Sequence, residues 1–327
     1  MNWKDIANRV AYLSVILILV FVVIFSGLRI LESTVYYNGG TSGPVTSKTI
    51  VRDGVSYFPR QDITVVMVLG IDRFGVVQHS NSYNNRGAAD MVSLLIFDET
   101  NEKCNILCLN RDTMLEMPVL GIGGKQAGTV YQQLALSHTY GSGLSDSCEN
   151  TRKTVSDFLY GIEIDYYVAM NMDAIGLLND AVGGVTVNVV DDFSEIDPTI
   201  TKGEITLKGD QAIHFVRTRR GVADQTNISR MERQEQYMDG FLDAVRTKQA
   251  QSTDFIVSAY DDVKDYVVTD CSATVLSSMM SRYVDYDVQD VVSPEGENVL
   301  GNTYFEFHVD EKKLDKLILE LFYAPKN

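Results

Sequence analysis

Nineteen consecutive residues, Val10–Leu28, carry no charge and are flanked by Arg9 and Arg29. As a helix rising about 1.5 Å per residue they span roughly 28 Å, close to the thickness of a bilayer's hydrocarbon core. This segment divides the chain into a short N-terminus at 1–9, a transmembrane helix at 10–30 and a long remainder. A cleaved signal peptide is the alternative, but its apolar core is shorter and ends in a small-residue site that Phe25-Ser26-Gly27-Leu28 does not supply. Lys4 and Arg9 precede the span, so the positive-inside bias leaves the N-terminus cytoplasmic and the residues after Thr34 outside. No second apolar run of that length follows. The expectation is a single-pass protein of the cell membrane with one extracytoplasmic body.

Asn38–Pro59 is rich in Gly, Ser and Thr and reads as a tether, so that residues 31–60 link the membrane to a domain at 61–327. Ile63–Leu69 (ITVVMVL) is a nearly unbroken β-branched and apolar run, which suits a strand buried on both faces. Met91–Phe97 and Asn105–Leu109 repeat the pattern. Helices are expected at Thr129–Tyr140, Cys148–Tyr160 and Asp173–Ala181, with strands at Ile164–Met170 and Val185–Val190. Lys208–Arg217 reads as a short helix. Ser229–Arg246 reads as a longer one opened by a capping box of Ser229 and Glu232. Ser272–Tyr283 is expected to be helical, Val288–Val292 and Tyr304–His308 extended, and Asp310–Phe322 an amphipathic helix. The alternation predicts an α/β fold, a layered α-β-α domain around a central mixed sheet.

Charge is distributed unevenly. The chain has a net charge of −16, yet Thr206–Gln234 holds six basic and three acidic residues. Arginines fall in three groups, NRDTM at Asn110–Met114, VRTRR at Val216–Arg220 and SRMERQ at Ser229–Gln234. Local positive charge in an acidic protein points to a site for one anion and away from general polyanion binding, so no nucleic-acid partner is expected. Arg230, Arg233 and Gln234 lie three and four apart at a helix start, where backbone N–H groups also favour an anion. Arg217 and Arg219 alternate across Thr218 and would point the same way in an extended stretch. Guanidinium forks bind phosphate oxygens in pairs, so convergent arginines describe a pyrophosphate-like group. The alternative for any single arginine is a solvated pair with a nearby carboxylate, which contributes about 0–1 kcal/mol.

Acidic residues stand at the ends of the same strands. Asp72 follows the first strand, Asp90 precedes the second, and Asp112 adjoins Arg111. Asp72 and Asp90 are candidates for holding Mg²⁺, which takes one or two carboxylates and leaves its other positions to water and phosphate; capping a turn is the alternative. Asp224, between the arginine groups, could bind an arginine, orient a hydroxyl or act as a base. The four histidines show no metal-ligand spacing and no partner serine motif, which disfavours a zinc site or a Ser-His-Asp hydrolase. Cys104 and Cys108 lie four apart on one strand, about 13 Å, and cannot bridge each other. Cys148 is open to pairing with another, or all four cysteines are buried thiols.

The ordered set VLGID, RGAADM, NRDTM, YGIEIDYYVAMNMDAIGLLNDAVGGVTVNV, LKGDQAIHFVRTR and SRMERQ resembles the LytR-CpsA-Psr family of Gram-positive cell-envelope proteins over about Asp62–Val245. The resemblance implies an extracytoplasmic phosphotransferase. Such a protein takes a polyprenyl-pyrophosphate-linked glycopolymer, holds its lipid in an apolar tunnel, and moves the glycan phosphate to a peptidoglycan hydroxyl. It also implies roles. Asp72 and Asp90 match the magnesium-side aspartates, and Arg111, Arg217 and Arg219 the pyrophosphate-binding arginines. Arg230, Arg233 and Gln234 match the second half of that cradle, while Arg86 and Asp224 match at altered spacing. Asn110 stands where a proline is common. The residues in catalytic roles would be Asp72, Arg111 and Asp224. Two other function classes are compatible with the residues, a pyrophosphatase releasing lipid monophosphate and a non-catalytic sensor of prenyl phosphates.

Overall fold

The computed structural model describes residues 49–325 apart from 83, 122–123, 219–221, 223–232, 234–235, 238, 242, 246, 249–250, 253–254, 273–274, 276–277, 280–281, 284–285 and 302–303. The expected anchor at Val10–Leu28 lies outside these residues. Among the described residues no helix is long and apolar enough to cross a membrane.

The apolar runs become the centre of a six-stranded mixed sheet. Its strands are β3 (Ile63–Ile71), β4 (Ala89–Asp98), β5 (Lys103–Leu109), β8 (Tyr166–Asn171), β11 (Val267–Thr269) and β12 (Asp287–Val292), in the order β11-β8-β3-β4-β5-β12. β3 pairs parallel with β8 and antiparallel with β4, which pairs antiparallel with β5. The C-terminal ends of β3, β5 and β8 therefore share one edge with the start of β4.

Side chains alternate across a strand, so the two faces of β3 feed two cores. Val66 and Val68 join one, with Leu95, Ile106 and Val168, under α2 (Asp173–Ala181), α3 (Asp210–Arg217) and α4 (Phe255–Val263). Val65, Met67, Leu69 and Ile71 join the other, under α1 (Ser145–Phe158) and α5 (Glu311–Phe322). This is the expected three-layer arrangement. In α5, Asp310 caps the start by accepting from the backbone of Lys312 at 3.0 Å and Lys313 at 3.2 Å. Leu314 and Ile318 on its inner face are buried and contribute about 1.5–3 kcal/mol each.

Two expectations are corrected. Residues 50–59, assigned to the tether, form a hairpin of β1 (Ile50–Arg52) and β2 (Val55–Pro59), and β2 also pairs with β15 (Tyr323–Pro325). The signal was Asp53-Gly54, both at positive φ, 50° and 78°, as a two-residue hairpin turn requires. The helix expected at Thr129–Tyr140 is instead the end of β7 (Gln126–Gln133), paired antiparallel with β6 (Met114–Leu120), followed by a 3₁₀ turn at Leu134–Thr139. Strand pairing overrides local helix preference there. Val155, Leu159 and Leu178 are buried in the two cores, with Ile175 and Leu177 half-buried.

Two further ribbons complete the body, β9 (Val185–Val189) with β10 (Gly203–Leu207) and β13 (Gly296–Leu300) with β14 (Phe305–Val309). In the segment expected to be helical at Ser229–Arg246, residues 233, 236–237, 239–241 and 243–245 are helical; Ser229 and Glu232 lie outside the described residues. Cys104, Cys108, Cys148 and Cys271 are buried and form no disulfide with one another.

Candidate functional site

The shared strand edge assembles four charged residues from three parts of the sequence. β3 ends at Ile71, and the Asp72 amide donates to Ala88 O at 2.9 Å, tying the end of β3 to the approach to β4. The β3–β4 register runs Gly70 to Met91 and then Ile71 to Ala89, so Asp90 is the extra residue of a β-bulge. A bulge re-aims a side chain at a strand end, and here it turns a carboxylate toward the next strand. Arg111 follows β5 in a turn that Asn110 builds with its own side chain: Asn110 Oδ1 accepts from Asp112 N at 2.9 Å, and its carbonyl accepts from Thr113 N at 3.0 Å. An Asx turn thus does the work of the proline common at this position. Arg217 is the last residue of α3.

Arg111 forms an ion pair with Asp90 and lies 3.6 Å from Asp112. Arg217 Nη2 lies 3.0 Å from Asp72 Oδ1, and its guanidinium sits 5.1 Å from the ring centre of Phe74. Phe74 is more than half exposed, and nothing in the sequence apart from its place two residues after Asp72 marked it. The pairs are neighbours, because the charge of Asp90 responds to Arg111, Asp72, Arg217 and Asp112 together. Burial is the largest influence and raises its pKa; Arg111 and Arg217 oppose the rise, and Asp72 and Asp112 add to it. Burial likewise raises Asp112, with Arg111 opposing. The four paired side chains are 31–49% exposed, so a ligand can reach all of them.

The pair Asp72 and Asp90 fits Mg²⁺. Asp90 Oδ1 is buried and receives no well-formed hydrogen bond despite the nearby Arg111, and such an acceptor is suited to a hard cation. Among the described residues no group of three or more His, Cys, Asp or Glu forms a protein cage. The donor set matches a cation held mainly by water and phosphate.

The other expected residues divide. Arg86 is exposed, with φ of 61° and its backbone N–H on Asn84 Oδ1 at 3.0 Å; it shares the loop before β4, and no ion pair joins it to the four. Arg233 is drawn inward. It is 5% exposed, its Nη1 lies 2.7 Å from Asp191 and its Nε donates to Phe215 O at 3.0 Å, while Nη2 donates to Thr218 O. Its guanidinium is engaged on three sides and fixes the C-terminal end of α3, the helix that ends at Arg217. Arg219, Asp224, Arg230 and Gln234 lie outside the described residues.

Sequence reasoning missed the support behind the loop that carries Asp90. Buried Asn85 accepts from Gly87 N at 2.7 Å and donates to His138 O at 2.7 Å and Ser147 Oγ at 3.0 Å. His138, 2% exposed, donates from Nδ1 to Gly87 O at 2.8 Å, and burial lowers its pKa to about 4. Only the fold brings residue 138 beneath residues 85–87, so no local signal marked it.

The chain is similar to known proteins in sequence and in fold. The sequence profile of the LytR_cpsA_psr family matches residues 36–322. The chain is 28% identical over 240 residues, 72% of its length and 70% of the relative's, to a polyisoprenyl-teichoic acid–peptidoglycan teichoic acid transferase, TagU, of Halalkalibacterium halodurans. It superposes on the crystal structure of Bacillus subtilis TagV with a TM-score of 0.55 at 23% identity, covering 80% of this chain and 96% of that one. For protein gbs0355 of Streptococcus agalactiae the TM-score is 0.60 at 19% identity, over 80% and 86% of the two chains. These structural likenesses carry the fold.

Proposed function

The chain belongs to the LytR_cpsA_psr family, and from that premise we propose that it is a phosphotransferase that attaches a glycopolymer from a polyprenyl-pyrophosphate-linked donor to peptidoglycan. The observation that carries this reading is the convergence of Asp72 with Arg217 and Asp90 with Arg111 on one sheet edge.

Phosphoryl transfer needs little covalent help from the protein; positioning and charge neutralisation supply most of the rate. Arg111 and Arg217 meet the non-bridging oxygens of the pyrophosphate, replacing the carboxylate partners they have here with phosphate. Asp72 and Asp90 would hold Mg²⁺, which when bound neutralises charge gathering on the departing phosphate. The acceptor hydroxyl oxygen forms a bond to the phosphorus that carries the glycan, and the bond from that phosphorus to the bridging oxygen breaks. Polyprenyl phosphate leaves with the electron pair. The hydroxyl proton passes to a carboxylate or to water, with Asp72 the described candidate nearest Arg217.

We place the protein in the cell membrane, held by Val10–Leu28 with its catalytic domain outside, where donor and peptidoglycan meet. The 19-residue uncharged stretch supports this. The test is transfer of a lipid-linked glycan to peptidoglycan by the purified protein with Arg111 or Arg217 replaced by Ala. Unaltered transfer would overturn the assignment.

A further inference from the structure

The ribbon β13–β14 is fastened to the turn that carries Arg111. Phe307 N donates to Asp112 O at 2.8 Å, and Gln133 Nε2 donates to Phe305 O at 2.7 Å while also reaching Asp112 Oδ1 at 2.9 Å. Phe307 forms a parallel bridge to Thr113 and is 8% exposed, so it anchors the ribbon. Beyond this anchor the apolar side chains are turned outward: Leu300 is 70% exposed, Tyr304 67% and Phe305 60%. Tyr131, 58% exposed, stands two residues before Gln133 on β7 and so on the same face of that strand. Exposed aromatics gathered beside an anion site mark a contact surface.

Charge selects the occupant. From Tyr283 to Glu311 the chain has eight Asp or Glu and no Lys or Arg. Apolar patches that seat on anionic membranes are rimmed by Lys and Arg, and a phosphate-rich polymer would be repelled here. An uncharged, hydroxyl-rich chain suits the surface, because aromatic faces pack on the apolar C–H face of a sugar ring while neighbouring carboxylates and amides accept and donate to its hydroxyls.

We infer that Tyr304, Phe305 and Tyr131 form a platform for the glycan strand of the acceptor, which the ribbon delivers to the Arg111 turn. This rests on the transferase reading for its role in catalysis, but glycan binding can be measured without turnover. The full-length protein is tested for co-sedimentation with isolated peptidoglycan sacculi stripped of attached polymers, and by calorimetry with neutral chitooligosaccharides. The Tyr304→Ala/Phe305→Ala double variant is expected to lose tenfold or more in both, with prenyl pyrophosphate binding unchanged and the acceptor KM raised at unchanged donor KM. These side chains are exposed, so folding should survive; Tyr131→Ala, on a different ribbon, gives an independent reading. Wild-type affinity for sacculi and sugars in both variants would overturn the platform. So would a loss confined to lipid vesicles, or a wild-type dimer that the double variant abolishes. If no form of the protein transfers glycopolymer but the variants still lose glycan binding, the transferase reading fails and the platform stands.

Discussion

Arg217 Nη2 lies 3.0 Å from Asp72 Oδ1 although the two residues are 145 positions apart. One ends a helix and the other follows the central strand, so this contact measures how the fold turns two loop motifs into one site. Beside it Arg111 and Asp90 make the same exchange of charge. Each arginine meets a carboxylate that a cation can take over, so cation and anion binding should assist one another.

Replacing Arg111 or Arg217 with Ala should lower kcat for transfer by about a hundred- to a thousandfold, the effect of removing one preorganised donor from a developing negative charge. Because both side chains are substantially exposed, the melting temperature should shift little. Steady-state kinetics alongside thermal unfolding checks the pair of outcomes.

Magnesium should raise affinity for a prenyl pyrophosphate by roughly tenfold or more, which is 1.4 kcal/mol or more. Asp90→Asn should abolish most of that gain without abolishing metal-free binding. Calorimetric titrations with Mg²⁺ and with a chelator read the difference, and equal affinities in wild type would refute the coupling.

Arg233→Ala should act on stability. It removes one partner of a buried pair with Asp191 and orphans the carbonyls of Phe215 and Thr218, a loss of about 3–5 kcal/mol. Denaturant unfolding should show it in the absence of any ligand. A variant with normal stability and weakened pyrophosphate binding would instead place Arg233 in the cradle.

His138 should make the protein sensitive to mild acid. Its folded pKa is about 4, against about 6.5 when unfolded. Between those values the unfolded chain binds the extra proton, so stability falls as pH is lowered through that window, by up to about 3 kcal/mol. In His138→Gln this part of the slope should vanish, leaving a flatter curve of unfolding free energy against pH. Parallel curves for the two proteins would refute it.

The sequence made β3, β4 and β5 legible because strands buried on both faces need unbroken apolar runs. It made α5 legible because a capping aspartate and a spaced apolar face coincide. It hid β6 and β7, whose residues alternate without a strong apolar signal and become strands by pairing with each other. The β1–β2 hairpin was readable from Asp53-Gly54, but the Gly- and Ser-rich surroundings drew the whole segment into the tether. In the site, Asp72, Asp90, Arg111 and Arg217 could be read because each adjoins a strand or helix end. Arg233 could not be placed, since helical spacing says which residues share a face and not whether that face meets solvent or the carbonyls of a neighbouring helix. Asn85 and His138 act through chain-distant backbone contacts and left no trace in spacing.

The sheet β1-β2-β15 has a mechanical consequence. Any pull arriving from the N-terminal side of residue 50 loads β1 first, a three-residue edge strand held by antiparallel pairing to β2. β2 in turn is gripped on its other edge by β15, at the far end of the chain. Such a pull would unzip this small sheet rung by rung before any tension reached β3. The hairpin would therefore yield first, and the geometry at Asp72 would stay unstrained.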